Sequence, residues 1–311
     1  MKSDGPVQES MPTEFSIIVP SHNGSDTLEP CLEALGNLVM PEASVEVLLV
    51  DNASYDATPA ILADHAKRHG WQVLSEQRRG KSYALNTAIE AASGRFLVFM
   101  DDDIIPDRRW LKAFFEVSRK QPEVGVFAGQ IRPNWPGDVP SWLQRMADEG
   151  RACGCTAVDW KAGPYPAVHV KGGNVMFRRS AIGNLRFDTI TSNFDGSAKA
   201  VGGEDTKFVT EVEETGAKIV FVPDARAEHI LQPDEVRFSA LFRRQMRNGR
   251  SGASAGGFTL LDKILTFPAI GAYALAVVGL VLIGKRDHAM KQLFKIAMRL
   301  GRIDQWFLGR S

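Results

Sequence analysis

Phe96–Pro106 reads FLVFMDDDIIP. Five apolar residues, Phe96 to Met100, run straight into three carboxylates, Asp101, Asp102 and Asp103. An apolar run of this length, cut off by a polar break, predicts a buried parallel strand. Open α/β sheets take their ligands at the carboxyl ends of strands, where these acids would lie. Adjacent carboxylates repel one another unless a cation or solvent relieves them. A hard divalent metal that also grips phosphate would do so. An exposed acidic turn is the plain alternative, and D-D-D alone does not separate the two.

Upstream, the same grammar repeats. Phe15–Pro20 (FSIIVP) predicts a first strand, Val45–Val50 (VEVLLV) a second, and Trp71–Leu74 a short third. Between them, Ser25-Asp26 can cap a helix running to Leu38, Ala57–His69 is helical with Pro59 in its first turn, and Arg78-Arg79-Gly80-Lys81-Ser82 opens a helix over Tyr83–Ala92. Strand and helix alternate at about 30 residues per unit, which predicts a parallel sheet with crossover helices. Ser21–Gly24, Asp51–Ser54 and Asp101–Asp103 all follow strands and so share one rim. Asp51 suits the donors of a base or ribose. Arg78 and Lys81, beside a helix start, suit phosphate. Neither G-x-G-x-x-G after the first strand nor G-x-x-x-x-G-K-[ST] occurs, which disfavours a dinucleotide fold and a P-loop NTPase.

Bulk properties set the frame. The 311 residues fit one large α/β domain and an appendage, and 37 basic against 37 acidic residues argue against a nucleic-acid binder. Cys31, Cys153 and Cys155 are too few for a disulfide framework, and Cys153-Gly154-Cys155 is too closely spaced for a C-x-x-C site. Met1–Glu14 is polar, without an apolar stretch, and is expected to be a disordered lead-in through residue 13, not a signal peptide.

Downstream, Trp110–Gln121 predicts a helix and Val124–Gly129 a strand, followed by a Pro- and Trp-rich loop, Pro133–Pro140. Trp135 and Trp142 either stack on a sugar or anchor the loop. Val168–Arg178 (VHVKGGNVMFR) has strand character around Gly172-Gly173, glycines that suit close approach of a ligand. Gly202-Gly203-Glu204-Asp205 precedes a helix over Thr206–Thr215. Two acids there are explained by capping alone or by a site. His229 follows a further strand, Ile219–Pro223, and is either structural or a metal ligand.

Taken in order, FSIIVPSHNG, VEVLLVDNAS, RRGKSYALN, FLVFMDDD, VKGGNVMFRRS and GGED resemble the family-2 glycosyltransferases, over about Phe15 to His229. The resemblance implies a GT-A fold, a mostly parallel nucleotide-binding sheet flanked by helices. It implies a nucleotide-diphosphate sugar donor, a divalent metal (Mg²⁺ or Mn²⁺) and inverting transfer. Carried over by position, Pro20, His22 and Asn23 would flank the nucleotide, Asp51 would read the base, and Arg78 would lie beside the nucleotide. Asp101 would face ribose and metal and Asp103 would hold the metal; Asp102 is read as donor-binding and as the most dispensable of the three for the metal. Gly172, Gly173 and Asn174 would line the donor sugar. In the pair Glu204-Asp205, the aspartate would be the general base, and His229 would complete the metal shell. Where the family has Tyr-Asn-Glu, this chain has His22-Asn23-Gly24.

Past residue 232 the composition changes. Residues 233–263 predict a basic amphipathic helix over about Arg237–Arg250, either on an anionic membrane or packed back on the catalytic part, and a flexible joint, Ser251–Gly257. Ile264–Gly284 carries no charge over 21 residues, enough to cross a hydrocarbon core or to re-enter it. Six Lys/Arg flank it on each side, in Arg237–Lys263 and Lys285–Arg302, so charge bias assigns no orientation. Residues 285–311 form a basic amphipathic tail, in which Met290–Trp306 predicts a second basic amphipathic helix, lying on the bilayer. The chain thus reads as a membrane-associated glycosyltransferase with its catalytic domain on the cytoplasmic face. Its acceptor is expected to be a lipid-linked sugar or a surface polysaccharide. A nucleotidyltransferase and a non-catalytic scaffold of the same fold are the rivals. A processive synthase is disfavoured, since Gln245–Gly249 does not match Q-x-x-R-W.

Overall fold

The computed structural model describes residues 12–189, 203–252 and 260–308. The lead-in up to residue 11, Gly202 and joint residues 253–259 lie outside the described residues. The chain opens β1 (Phe15–Ser21), α1 (Leu28–Gly36), β2 (Val45–Asp51), α2 (Thr58–His69), β3 (Gln72–Ser75), α3 (Lys81–Ala91), β4 (Phe96–Met100). It continues β5 (Ile104–Pro106), α4 (Trp110–Lys120), β6 (Val124–Asn134), α5 (Ser141–Asp148), β7 (Gly163–Pro164), β8 (Asn174–Arg178), α6 (Arg179–Ile182), α7 (Glu204–Glu214) and β9 (Lys218–Ile230).

One sheet runs in the order β3-β2-β1-β4-β8-β6-β9-β5, with β7 added on β9. The first four strands are parallel, as the spacing predicts. β8 is antiparallel to both β4 and β6, and β5 is antiparallel to β9. β1 and β4 are buried on both faces, which explains their unbroken apolar runs. Ile17, Val19 and Val98 pack with α1 and α4 on one side, and Ile18, Leu97 and Phe99 with α3 and α7 on the other.

Two local expectations are corrected, and one strand was not foreseen. The strand foreseen over Val168–Arg178 starts only at Asn174. Before it, Ala167–His169 closes a 3₁₀ turn after Pro166, and Tyr165 Oη donates to the His169 carbonyl at 3.3 Å. The strand foreseen over Ile219–Pro223 runs on to Ile230, because β6 accompanies it past a register shift at Gly129/Gln130. Ile104-Ile105, immediately after the acids, form β5, an edge strand too short to read from periodicity.

α8 (Phe238–Gly252), α9 (Leu260–Leu282) and α10 (Arg286–Leu308) complete the chain. α10 spends its apolar face on protein, which corrects the expectation that it lies on a bilayer. Ala289, Phe294 and Ala297 are buried, and the rings of Trp142 and Phe238 lie 5.9 and 5.8 Å from that of Phe294. α8 and α10 meet at backbone distance: a Cβ on Gly249 would stand 2.0 Å from the Met298 carbonyl, and one on Gly301 1.8 Å from that of Met246. Arg250 pairs with Asp304 at 2.6 Å across the same crossing. α9 behaves differently. Its segment Ile264–Leu282 is apolar, yet Phe267, Leu275 and Leu282 stay 60–80% exposed.

Candidate active site

The carboxyl ends of β1 and β4, the start of α3 and the start of α7 converge on a cleft of about 890 Å³. Sheet register builds its centre. Met100 pairs with Asn174, so the turn before β8 lies against Asp101. A Cβ on Gly173 would come 2.9 Å from Asp101 Oδ2. Ile104 pairs with His229, and the Ile230 N–H donates to the Asp103 carbonyl at 2.8 Å, which sets Asp103 beside His229.

His229 is nearly buried, and each of its ring nitrogens has a partner. Nδ1 lies 2.7 Å from the Cys153 carbonyl, so it donates there. That leaves Nε2 facing Asp103 Oδ2 at 3.0 Å. Burial opposes the imidazolium, but Asp103 outweighs it and raises the His229 pKa. Burial likewise opposes the Asp103 charge, and the bond from His229 outweighs it, holding Asp103 below the usual carboxylate range. A backbone partner on Nδ1 is the outer contact that directs Nε2 to a metal. Asp103 and this nitrogen, with Asp101 in the same cleft, are carboxylate and imidazole groups of the kind that Mg²⁺ or Mn²⁺ takes.

Lys81, the first residue of α3, stands between two acids. Its Nζ is 2.8 Å from Asp101 Oδ1 and 3.5 Å from Asp205 Oδ2. Burial works against its charge, yet Asp101 and then Asp205 outweigh it and raise its pKa well above the ordinary lysine value. Asp101 is raised by burial against the pull of Lys81, with Asp103 and Asp205 adding to the rise. Burial, then Asp103, pushes Asp102 up to about 7 although it accepts a hydrogen bond from Ser21 Oγ. Gly24 is required beside it: a Cβ there would lie 2.3 Å from Asp102 Oδ2. Asp205 and Glu204 open α7 after Gly203, whose φ is 100°. Burial, then Asp205, pushes Glu204 up to about 7, and its Oε2 is buried without a hydrogen-bond partner among the described residues.

The structure sorts the sequence-derived candidates. Pro20, His22, Lys81, Asp101, Asp102, Asp103, Gly173, Glu204, Asp205 and His229 all line the cleft. Asn174 does not. It is fully buried, its Nδ2 donates to the Gln130 and Ala225 carbonyls at 3.0 and 2.9 Å, and its Oδ1 accepts from Trp110 Nε1 at 2.7 Å. With its amide saturated, it cannot touch a donor sugar. Arg78 is also turned away: Glu76 holds its guanidinium at 2.6 Å, and it lies 4.7 Å over the Tyr83 ring. Asn23 ties two loops together, its Oδ1 accepting from the Tyr55 N–H at 3.0 Å. Asp51, half-buried, accepts from the Ser54 N–H at 3.1 Å and lies outside the cleft walls. Trp142 packs on Phe294 and Trp135 on the same cluster, so both anchor the loop.

Other residues were missed. Asn52 is buried and holds the loop ahead of α3, donating to the Glu76 and Arg78 carbonyls and accepting from the Gly80 N–H at 2.8 Å. Its only signal is a polar residue directly after a strand. Lys171 lines the cleft, its ammonium lowered by burial and by Arg244. Arg244 from α8 and Lys295 from α10 line it too, so the tail forms part of the wall.

Comparison with known proteins follows this geometry. The family model described as Glycosyl transferase family 2 matches residues 16–186. Glycosyltransferase AglE of Haloferax volcanii is 36% identical over 99 residues, 31% of this chain but only a third (33%) of that protein. Succinoglycan biosynthesis protein ExoM of Rhizobium meliloti is 26% identical over 227 residues, 72% of this chain and 69% of that protein. Among solved structures, a mannosyltransferase, PcManGT from Pyrobaculum calidifontis in complex with GDP-Man and Mn²⁺, superimposes with a TM-score of 0.63 at 21% identity, over 95% of this chain and 90% of that one.

Proposed function

Since the chain belongs to glycosyl transferase family 2, we propose that it moves a sugar from a nucleoside-diphosphate sugar to a hydroxyl of a saccharide or lipid-linked acceptor. One observation carries this reading: Asp205 faces Asp101 across the Lys81 ammonium in the same cleft that holds Asp103 and His229. The proton of the acceptor hydroxyl goes to the Asp205 carboxylate as the oxygen bonds the anomeric carbon. The bond from that carbon to the diphosphate breaks, and its electron pair leaves with the nucleoside diphosphate. A single displacement inverts the anomeric centre. A divalent cation held by Asp101, Asp103 and His229 would supply positive charge against the diphosphate. Lys81 holds Asp205 and Asp101 in place, and Glu204 backs Asp205 from the buried side.

The nucleotide end is the end walled by Pro20, His22 and the start of α3. The membrane part of the reading rests on α9. At 1.5 Å per residue its apolar segment is about 28 Å long, close to the roughly 30 Å of a hydrocarbon core. We place the catalytic domain on the cytoplasmic face, the side of its inferred nucleotide-sugar donor. A panel of UDP-, GDP-, ADP- and CDP-sugars, with Mg²⁺ or Mn²⁺ and with chelator, tests the reaction. The expected product is a nucleoside diphosphate, released only with metal. Release of pyrophosphate would make the chain a nucleotidyltransferase instead.

A further inference from the structure

A second group of ligating side chains lies away from the cleft. α1 carries Glu29 and Glu33, and α2 carries His65 and His69. Each pair is spaced four residues apart and so shares one helix face. The two faces meet. A Cβ on Gly36, the last residue of α1, would stand 2.6 Å from His69 Cε1, so the helices close on one another there only because that side chain is absent. One ligand atom each from Glu29, Glu33 and His65 lies within 4.8 Å of the other two. None of these residues lines the cleft.

His65 points to a ligand independently of the acids. It is fully buried, and neither ring nitrogen has a hydrogen-bond partner among the described residues. Nε2 faces Glu29 Oε1 at 3.3 Å, outside hydrogen-bond geometry. The ring runs nearly parallel to those of His69 and Trp71, 6.0 and 6.3 Å away. A buried imidazole without a partner bears an uncompensated desolvation cost, which a bound ion removes.

The local charge agrees. Glu29, Glu33 and Asp64 surround one guanidinium, that of Arg68, at 3.5, 2.7 and 2.6 Å. Three carboxylates against one cation leave two negative charges, the charge of one divalent ion. Asp64 precedes Arg68 by four residues on the same helix, so Arg68 keeps that partner when an ion takes the two glutamates. Both glutamate side chains are about half-exposed, and an ion reaches His65 from solvent between them.

We propose that Glu29, Glu33 and His65 bind a Zn²⁺ ion that clamps α1 to α2. Carboxylate and imidazole are both zinc ligands, with bonds of about 2.0–2.2 Å. The half-exposed glutamates have the freedom to close onto one ion against the fixed His65 ring. The clamp would join two helices whose leading turns are already tied, since the Gly24 N–H donates to Thr58 Oγ1 at 2.8 Å. This site does not depend on the transfer reaction.

The full chain, stripped by chelator, is titrated with ZnSO₄ by calorimetry in millimolar excess of Mg²⁺. An Asp103→Ala background disables the cleft's own metal site. One Zn²⁺ per chain is expected to bind there. Loss of an outer-shell partner already costs about 10–100-fold in metal affinity, so Glu29→Gln and Glu33→Gln should each weaken binding by at least about tenfold. Both should keep the native circular dichroism, which preserves the test should the buried His65→Gln fail to fold. Arg68→Gln removes the competing cation and should tighten binding by about two- to fivefold. Equal affinity in both glutamine variants, or no binding in the background chain, overturns the site. Weaker binding by Arg68→Gln overturns it as well. Suppression of Zn²⁺ binding by the Mg²⁺ would reduce the cluster to plain carboxylate charge and overturn the imidazole ligand.

Discussion

A Cβ on Gly172 would lie 2.1 Å from the carboxyl carbon of Asp205. The glycine before β8 and the acid in the first turn of α7 therefore leave no room for a side chain between them. Gly172→Ala must displace Asp205 or the turn. A shift of about 1 Å in a reacting group costs roughly 100-fold in rate. Turnover is expected to fall by about that factor while nucleoside-diphosphate affinity, set at the other end of the cleft, stays within about twofold. Steady-state kinetics beside calorimetry reads both. Unchanged turnover would remove Asp205 from the reaction.

Asp205→Asn keeps the shape and removes the base. Turnover should drop by about 10²–10⁴-fold with donor binding near normal. Glu204→Gln should cost less, since Asp205 and not Glu204 pairs with the Lys81 ammonium. Equal losses from both variants would contradict this division of roles.

Asp103→Ala removes one oxygen from the donor set and leaves His229 without its carboxylate. Nucleotide binding is expected to lose its dependence on Mn²⁺, seen as identical calorimetric titrations with metal and with chelator. His229→Ala should weaken the metal dependence by about 10–100-fold in metal concentration. A metal response preserved in both variants would place the ion elsewhere.

Asn174 is a structural pin, and its variant should behave as one. Asn174→Ala orphans the Trp110 N–H and two buried carbonyls. Each lost buried partner costs about 1–3 kcal/mol, so the urea midpoint should fall clearly. At temperatures where the variant is folded, the donor KM should match that of the native chain. A raised KM with native stability would return Asn174 to the sugar site.

Glu76 gives a pH signature. It accepts from Arg78 Nε, Nη2 and N–H and from Thr87 Oγ1, and Arg78 foremost pulls its pKa down to about 2 from an ordinary 4.5. A depressed folded pKa stabilises the protein above the unfolded value, and the gain is lost as pH falls toward the folded one. Native chain and Glu76→Gln should differ by on the order of 2 kcal/mol at pH near 7. That gap should narrow as pH drops from about 4.5 toward about 2. A gap independent of pH would mean the loop ahead of α3 is held by Asn52 alone.

The sequence disclosed what depends on neighbours along the chain. β1, β4 and the middle of β2 are buried on both faces, so burial is written in their apolar runs, and the acids that close β4 stand at a strand end as expected. What it concealed depends on partners far away. Arg78 and Lys81 read alike in RRGKS, yet the turn points one at Glu76 and the other at Asp101. Asn174 reads like a sugar ligand until Trp110, 64 residues earlier, claims its oxygen. Arg244 joins the site only because α8 folds back over the cleft, and no periodicity encodes that return.

The pairing of β5 with β9 carries a last implication. Side chains alternate across a strand, so slipping this short ribbon by one residue would turn His229 out and bring Glu228 or Ile230 round in its place. Ion affinity is therefore a gauge of strand alignment at this edge. Damage to β5 should appear as loss of metal response before any loss of helix content, and a chain that recovers its ion has recovered its register.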